Sequence, residues 1–409
     1  MTAPATSTRR PLLHGWRGLV ILFALALGGA LLAIGYWLTS DADLRRVERD
    51  MASAGLPTTL ASAGVLVDME DPESERLFAL GRALKPWAGA RVTRLQPGVA
   101  TPEELRAWRM ALPDSTLAAM AALIDGRPPG PVAPPRPGKE RATWFLPWYN
   151  LIQVIGQCMA IAPDAEVPSF ARRLVRLMNL APDNIGQDGG LAQAALVHAA
   201  LAHLVLRLPE LKRDADLAGD LLAMARRFDA ESEQRATRYL IDLLSWFRRF
   251  DEISDLRQRT GTRLVREQAL RLQLTWILRS RTCTSALERH ALAKKLTGDA
   301  TAKPPTPRLN LGFEPWWAMV TDPASVDSLF SNASIRLRLL AAEIMGDPWP
   351  IDPYSRTGDP LRRIERDGVL IGGYSIGPDE RDAGGGKGDL AVALYGPLKP
   401  QATAPSATP

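Results

Sequence analysis

Four histidines, two cysteines and 45 acidic residues are the chain's stock of metal-ligating, nucleophilic and proton-transferring groups. Their spacing decides what chemistry they can do. His198 and His203 fall five residues apart in one apolar segment. A helix sets two imidazoles on one metal at a spacing of four, so these two point about 140° apart. The spacing favours histidines in a core or at a helix interface. Cys158 and Cys283 are far apart and lack the C-x-x-C spacing of a zinc or redox site. A disulfide stays open if the fold joins them, but the burial habit of cysteine favours two buried free thiols. Gly373-Tyr374-Ser375-Ile376-Gly377 matches the G-x-S-x-G nucleophile elbow, yet Pro378 forbids the helix that must follow and no histidine comes after His290. Gly384-Gly385-Gly386-Lys387-Gly388 fails as a phosphate loop, because Arg381 stands where glycine is needed and Gly388 where a hydroxyl is needed. Asp251, Glu252 and Asp255 read as a solvated acidic face rather than an acid/base pair.

Arg257 to Arg281 holds seven arginines and a single acid, Glu267. Such a run suits anionic lipid head groups or an acidic partner. A charged helix face whose acidic partners lie on adjacent helices is the favoured reading. The formal charge of +5 is the small difference between 50 basic and 45 acidic residues, and nothing in it points to nucleic acid. With 409 residues, 46% of them hydrophobic, the chain can bury a sizeable core as one large domain or two moderate ones. Trp316 and Trp317 follow Pro315 and cannot both face inward easily, which suggests a contact patch.

The elements that would position these groups begin with an anchor. After a short tail (1–17), residues 18–38 read GLVILFALALGGALLAIGYWL without a charge, long enough to cross a bilayer as a helix. Trp16 with Arg17, and Tyr36 with Trp37, mark the two interfaces. A signal cleaved after Ala42 is the rival, but the apolar run exceeds the usual signal length. Arg9, Arg10 and Arg17 are matched in number by Arg45, Arg46 and Arg49, so orientation leans only on the acid-free short tail. It favours a bacterial inner-membrane protein with its bulk in the periplasm. Ala24 and Gly28 would allow two such helices to dimerise.

Beyond the anchor, 39–126 reads as a membrane-proximal helical region. Its helices are expected from Asp41 to Ser53, from Asp71-Pro72 to Leu84, and from a capping box at Thr101-Pro102-Glu103-Glu104. Residues 127–142 form a proline-rich linker. Between 143 and 345 apolar periodicity predicts helices at Trp144–Ile161, Ser169–Leu180, Leu191–Leu208, Asp216–Phe228, Ser232–Phe250, Arg263–Ser280, Ala286–Leu296 and Ala324–Met345. Stacked antiparallel pairs, an α-solenoid-like array, follow from that pattern. From 346 to 396 glycine and alternation replace helical periodicity. A hairpin around Asp367-Gly368 and a third strand at Leu390 to Tyr395 predict a small antiparallel β meander. A disordered tail (397–409) ends the chain.

Asp352-Pro353-Tyr354-Ser355, Pro360-Leu361-Arg362, Tyr374-Ser375-Ile376-Gly377-Pro378-Asp379, and Asp382-Ala383-Gly384-Gly385 with Asp389 resemble the C-terminal segment of the major pseudopilins of type II secretion. They equally resemble the tail of a group of uncharacterised bacterial membrane-anchored helical proteins. The first resemblance covers about the last fifty residues; the second extends loosely over the anchor and the helices. The pseudopilin resemblance implies calcium held by Asp379, Asp382 and Asp389, since a hard cation takes six to eight oxygens. Glu380 and Ala383 depart from that pattern, and the pseudopilin leader before the anchor is missing.

These features together predict a mainly α, membrane-tethered, non-enzymatic scaffold or interaction protein of the bacterial envelope, with a protein partner. An accessory role in a secretion or pilin-related system is the first alternative. An enzyme using carboxylates within the array is the second.

Overall fold

The computed structural model describes residues 41–59, 62–63, 72–88, 102–127, 145–181, 187–253, 256–300, 325–366, 369–377, 381–385 and 390–393, together with Val20, Phe23 and 25–31. The protein is mainly helical with one small antiparallel sheet. Its helices are α1 (Ala42–Ser53), α2 (Pro72–Ala83), α3 (Lys85–Ala88), α4 (Pro102–Ala111), α5 (Asp114–Asp125), α6 (Phe145–Ile161), α7 (Val167–Leu180), α8 (Gln187–Leu206), α9 (Ala215–Ala230), α10 (Ser232–Ile253), α11 (Leu256–Ser280), α12 (Ala286–Ala300) and α13 (Ser325–Met345). Most lie within a few residues of the periodicity-based expectation. Two departures stand out: α5 went unrecognised, and α11 starts seven residues before Arg263.

Among the described residues no helix is long and apolar enough to cross a membrane. Most of the expected span 18–38 lies outside them, and its described residues are helical with Phe23, Leu25, Leu27 and Leu31 exposed. The greater part of the proline-rich linker, the Trp316-Trp317 pair, the Asp367-Gly368 turn and the tail also lie outside the described residues.

The buried apolar residues form two clusters. The larger draws on α2 to α9, α13 and the sheet, and includes Phe78, Trp108, Trp148, Leu177, Leu204, Phe228, Phe330 and Leu339. The smaller joins α1 to α10, α11 and α12 through Leu44, Val47, Met51, Leu240, Phe247, Leu270 and Trp276. Helix directions follow from paired contacts. Gly156 lies against His203 and, one turn on, Arg207 reaches Met159, so α6 and α8 run parallel. Arg172 pairs with Asp214 and Asp216 while Arg176 acts on Asp220, so α7 and α9 run parallel as well. Trp148 near the start of α6 donates to Leu177 near the end of α7, which makes that pair antiparallel. Arg213 meets Ile344 at one end of the α9–α13 pair and Phe228 meets Phe330 at the other, again antiparallel. Two layers result, α6, α8 and α13 in one and α7 and α9 in the other.

Helix α13 stops in a Schellman turn: Gly346 takes φ +74°, a region costly for any residue with a Cβ, and Asp347 N–H returns to Ala342 O. The sheet follows, with β1 (Arg362–Arg366), β2 (Val369–Ser375) and β3 (Leu390–Ala393) in sequential antiparallel order and a bulge between Ile364 and Glu365. It packs on α13 where Gly373 faces Leu339 and Trp349; a Cβ there would come within 2.9 Å of both side chains.

Candidate functional site

Several polar side chains inside the larger core share one use. A helix leaves its last four carbonyls without an intrahelical partner, and burying them unpaired is costly. Here neighbouring helices supply the donors. Asn150 Nδ2 donates to Gly81 O at the end of α2 (2.9 Å) and Trp108 Nε1 to Trp87 O at the end of α3 (3.2 Å). Trp148 Nε1 donates to Leu177 O at the end of α7 (3.0 Å). Arg207 Nη1 covers Met159, Ala160 and Ala162 at the end of α6, and the same guanidinium pairs with Asp164 and Glu210. Arg213 N–H reaches Ile344 O at the end of α13 at 2.7 Å, and Arg235 reaches Phe228 O at the end of α9. A cation at a helix C-terminus also meets the negative end of the helix dipole.

The two histidines separate as their spacing predicts. His203 is buried between α6 and α8, its Nε2 3.2 Å from Gln153 Oε1. Burial lowers its pKa to about 4, so it is neutral at pH 7. Gly156 leaves the room for it: a Cβ there would lie 2.2 Å from the imidazole. His198 stands on the outside and accepts from Arg336 at 2.8 Å, with burial first and the Arg336 charge second holding its pKa below the usual value. Neither cysteine is in a disulfide. Cys158 is buried, which pushes its thiol up to about 12, whereas Cys283 is half-exposed and departs from the expectation of two buried thiols.

In the C-terminal module Asp352 organises the motif. Its fully enclosed carboxylate accepts from Tyr354 N–H (2.9 Å), Ser375 Oγ (2.7 Å) and Ile376 N–H (3.0 Å), joining two motif segments 23 residues apart. Ser375, the centre of the apparent nucleophile elbow, is enclosed with it and also accepts from Gly377 N–H. Of the predicted calcium ligands, Asp379 and Asp389 lie outside the described residues. Asp382 accepts from Tyr374 Oη and Gly384 N–H, each at 2.9 Å, and pairs with Arg362 at 3.2 Å. The Gly384 amide and the Tyr374 hydroxyl hold its carboxyl below the usual range. Arg362 would compete with a cation for that carboxylate. Among the described residues no group of three or more His, Cys, Asp or Glu gathers in metal-binding array.

The smaller core has a different chemistry. Arg266 of α11 is 1% exposed and pairs through two nitrogens with Asp43 of α1, Nε lying 2.6 Å from Oδ2. Arg248 of α10 pairs with Glu48 of α1, Arg281 reaches Ala54 O at the end of α1, and Arg238 reaches Ala63 O. The first helix after the apolar span is thereby clamped to partners about 200 residues away. Within the arginine-rich run, Arg266 and Arg281 do find acids on other helices, Asp43 and Glu233. Sequence spacing gave no sign of the α1 clamp, because neither member of any pair lies near the other in the chain. Comparison of the chain with protein-family models, with curated proteins and with solved structures found no match in any of the three.

Proposed function

We propose that this chain is a membrane-tethered, non-enzymatic helical scaffold of the bacterial cell envelope. In this reading residues 18–38 span the inner membrane and an α-solenoid-like array on the periplasmic side offers its faces to a protein partner. The observation that supports it best is the use of the interior polar groups. Asn150, Trp108, Trp148, Arg207 and Arg235 finish the ends of neighbouring helices, and the buried Asp352 and Ser375 fasten a loop. That allocation makes a rigid stack, which suits a binding surface. Photo-crosslinking in cells from exposed positions such as Met110 and Leu146, 87% and 54% exposed, tests the partner: the expected result is one dominant adduct in a membrane fraction that resists alkaline extraction. Turnover by the purified chain on a hydrolase panel, abolished by one interior substitution, would overturn the reading.

The convergence of the motif segments on Asp352 favours a second reading, an accessory component of a type II-like secretion or pilin-related machine. Adducts to secretion components from positions on the sheet would support it over the first. Calcium at Asp379, Asp382 and Asp389 belongs to this second reading and requires Asp382 to give up Arg362. Titration calorimetry of the full chain with calcium chloride tests it: a saturable isotherm lost in Asp389→Asn supports it and a flat one rejects it.

A further inference from the structure

Helix α1 directs two of its acids to the array: Asp43 and Glu48 pair with Arg266 and Arg248. Arg45, Arg46 and Arg49, with the one acid Asp50, are exposed, away from the buried Leu44, Val47 and Met51. Thr39, Ser40 and Asp41 alone separate α1 from the end of the apolar run at Leu38. Three residues reach about 10 Å at most, close to one Debye length at physiological salt. Helix α11 runs parallel to α1, since Asp43 meets Arg266 at one end and Ala54 meets Arg281 at the other. The helical hairpin α11–α12 is itself strongly basic. Residues 256–296 hold eight Arg and two Lys against Glu267 and Glu288, a net of +8 in a chain of +5, so all the rest is net −3.

We infer that α1 lies along the bilayer with Arg45, Arg46 and Arg49 on anionic phospholipid head groups, and that the clamp to α10 and α11 passes this orientation to the whole array. The inference rests on the reading of 18–38 as a membrane span. Basic side chains near an anionic surface are drawn to it; Asp43 and Glu48 are neutralised by arginines of the array, so Asp50 alone offsets the three exposed charges. An upright α1 would lift the far end of α11, fifteen residues beyond Arg266, by about 22 Å; a flat α1 keeps it near the head groups.

Cys283 sits at that far end and supplies the probe, because the enclosed Cys158 thiol does not compete for a maleimide. The full chain, carrying a fluorescent donor on Cys283, is placed in nanodiscs with acceptor-labelled head groups. The discs are phosphatidylcholine alone, or the same lipid with roughly one third phosphatidylglycerol. Transfer is expected to rise roughly two-fold in the anionic discs, and to return to the phosphatidylcholine value in Arg45→Glu/Arg49→Glu or in about 0.5 M salt. Equal transfer in both discs overturns the inference, as does a rise that the double variant leaves intact. Failure of the chain to enter discs of either composition is a separate result, which rejects the membrane span itself.

Discussion

The two hydrophobic clusters solve the same packing problem with different polar chemistry. In the larger, from α2 to α9 with α13 and the sheet, Trp108, Trp148 and Asn150 cap carbonyls on adjacent helices as neutral donors, and the guanidinium of Arg207 adds a charged cap near the surface. In the smaller, ion pairs cross from α1 to helices 200 residues or more further on. Carbonyl capping by a neutral donor is insensitive to pH and salt and leaves no charge behind when it is lost. A buried guanidinium paired with a carboxylate is the reverse: removing the acid leaves a charge enclosed with less to offset its desolvation. The smaller cluster therefore leans on α1 and on the charge of Asp43.

The largest expected effect tests that dependence. Asp43→Ala leaves Arg266 enclosed without its paired acid, and removing one member of a buried pair costs about 3–5 kcal/mol. Hydrogen exchange should quicken across α1, α10 and α11 while amides of α6 to α9 keep their protection; equal loss in both would show that the clusters unfold as one unit. Acid should distinguish the clusters in the other sense, through His203. Its folded pKa of about 4 lies below the unfolded value near 6.5, so the folded state resists protonation. Stability from this group is fully present above pH 6.5 and falls by about 1.4 kcal/mol per unit toward pH 4, about 3 kcal/mol in all. Denaturant melts of the wild type and His203→Gln between pH 7 and 4 check it; an unchanged slope in the variant would remove His203 as the cause. Gly156→Ala should cost about 1–3 kcal/mol by driving a methyl into the same imidazole, read as a lowered denaturation midpoint with an unaltered helical spectrum.

How far the sequence carried these conclusions depended on whether a signal was local. Helices such as α7 and α9 announce themselves by apolar residues at three- and four-residue steps, and their ends came within two residues. Helix α5 did not: DSTLAAMAALID is apolar on most sides, so it shows no polar face. The opening turns of α11 hide for the opposite reason, since Arg257, Gln258, Arg259 and Gly261 offer no apolar stripe. The G-x-S-x-G match was legible as a false elbow, and the structure explains what Ser375 does instead, which is to hold Asp352. The seam around His203 had an unused signal: Asn150, Gln153 and Gln157 interrupt an otherwise apolar helix on one stripe, with Gly156 beside them. The Asp43–Arg266 pair had none, because pairing across 223 residues is a property of the assembled layers.

The smallest expected effect asks whether burial or charge makes the α1 clamp matter. Arg281 and Glu233 form a pair within the same cluster at 2.8 Å, with side chains 38% and 42% exposed. Water screens such a pair and its long side chains lose entropy in forming it, so exposed pairs contribute about 0–1 kcal/mol. Glu233→Gln removes the charge and keeps an acceptor for the guanidinium. A double-mutant cycle with Arg281→Gln should return a coupling below about 1 kcal/mol that fades in high salt. The equivalent cycle on Asp43 and Arg266 should return several times that value and resist salt, since ions reach an enclosed pair poorly. If the two couplings matched, the smaller cluster would be held by its charge count rather than by enclosure of Arg266. The contrast with the neutral caps of the larger cluster would then be one of degree.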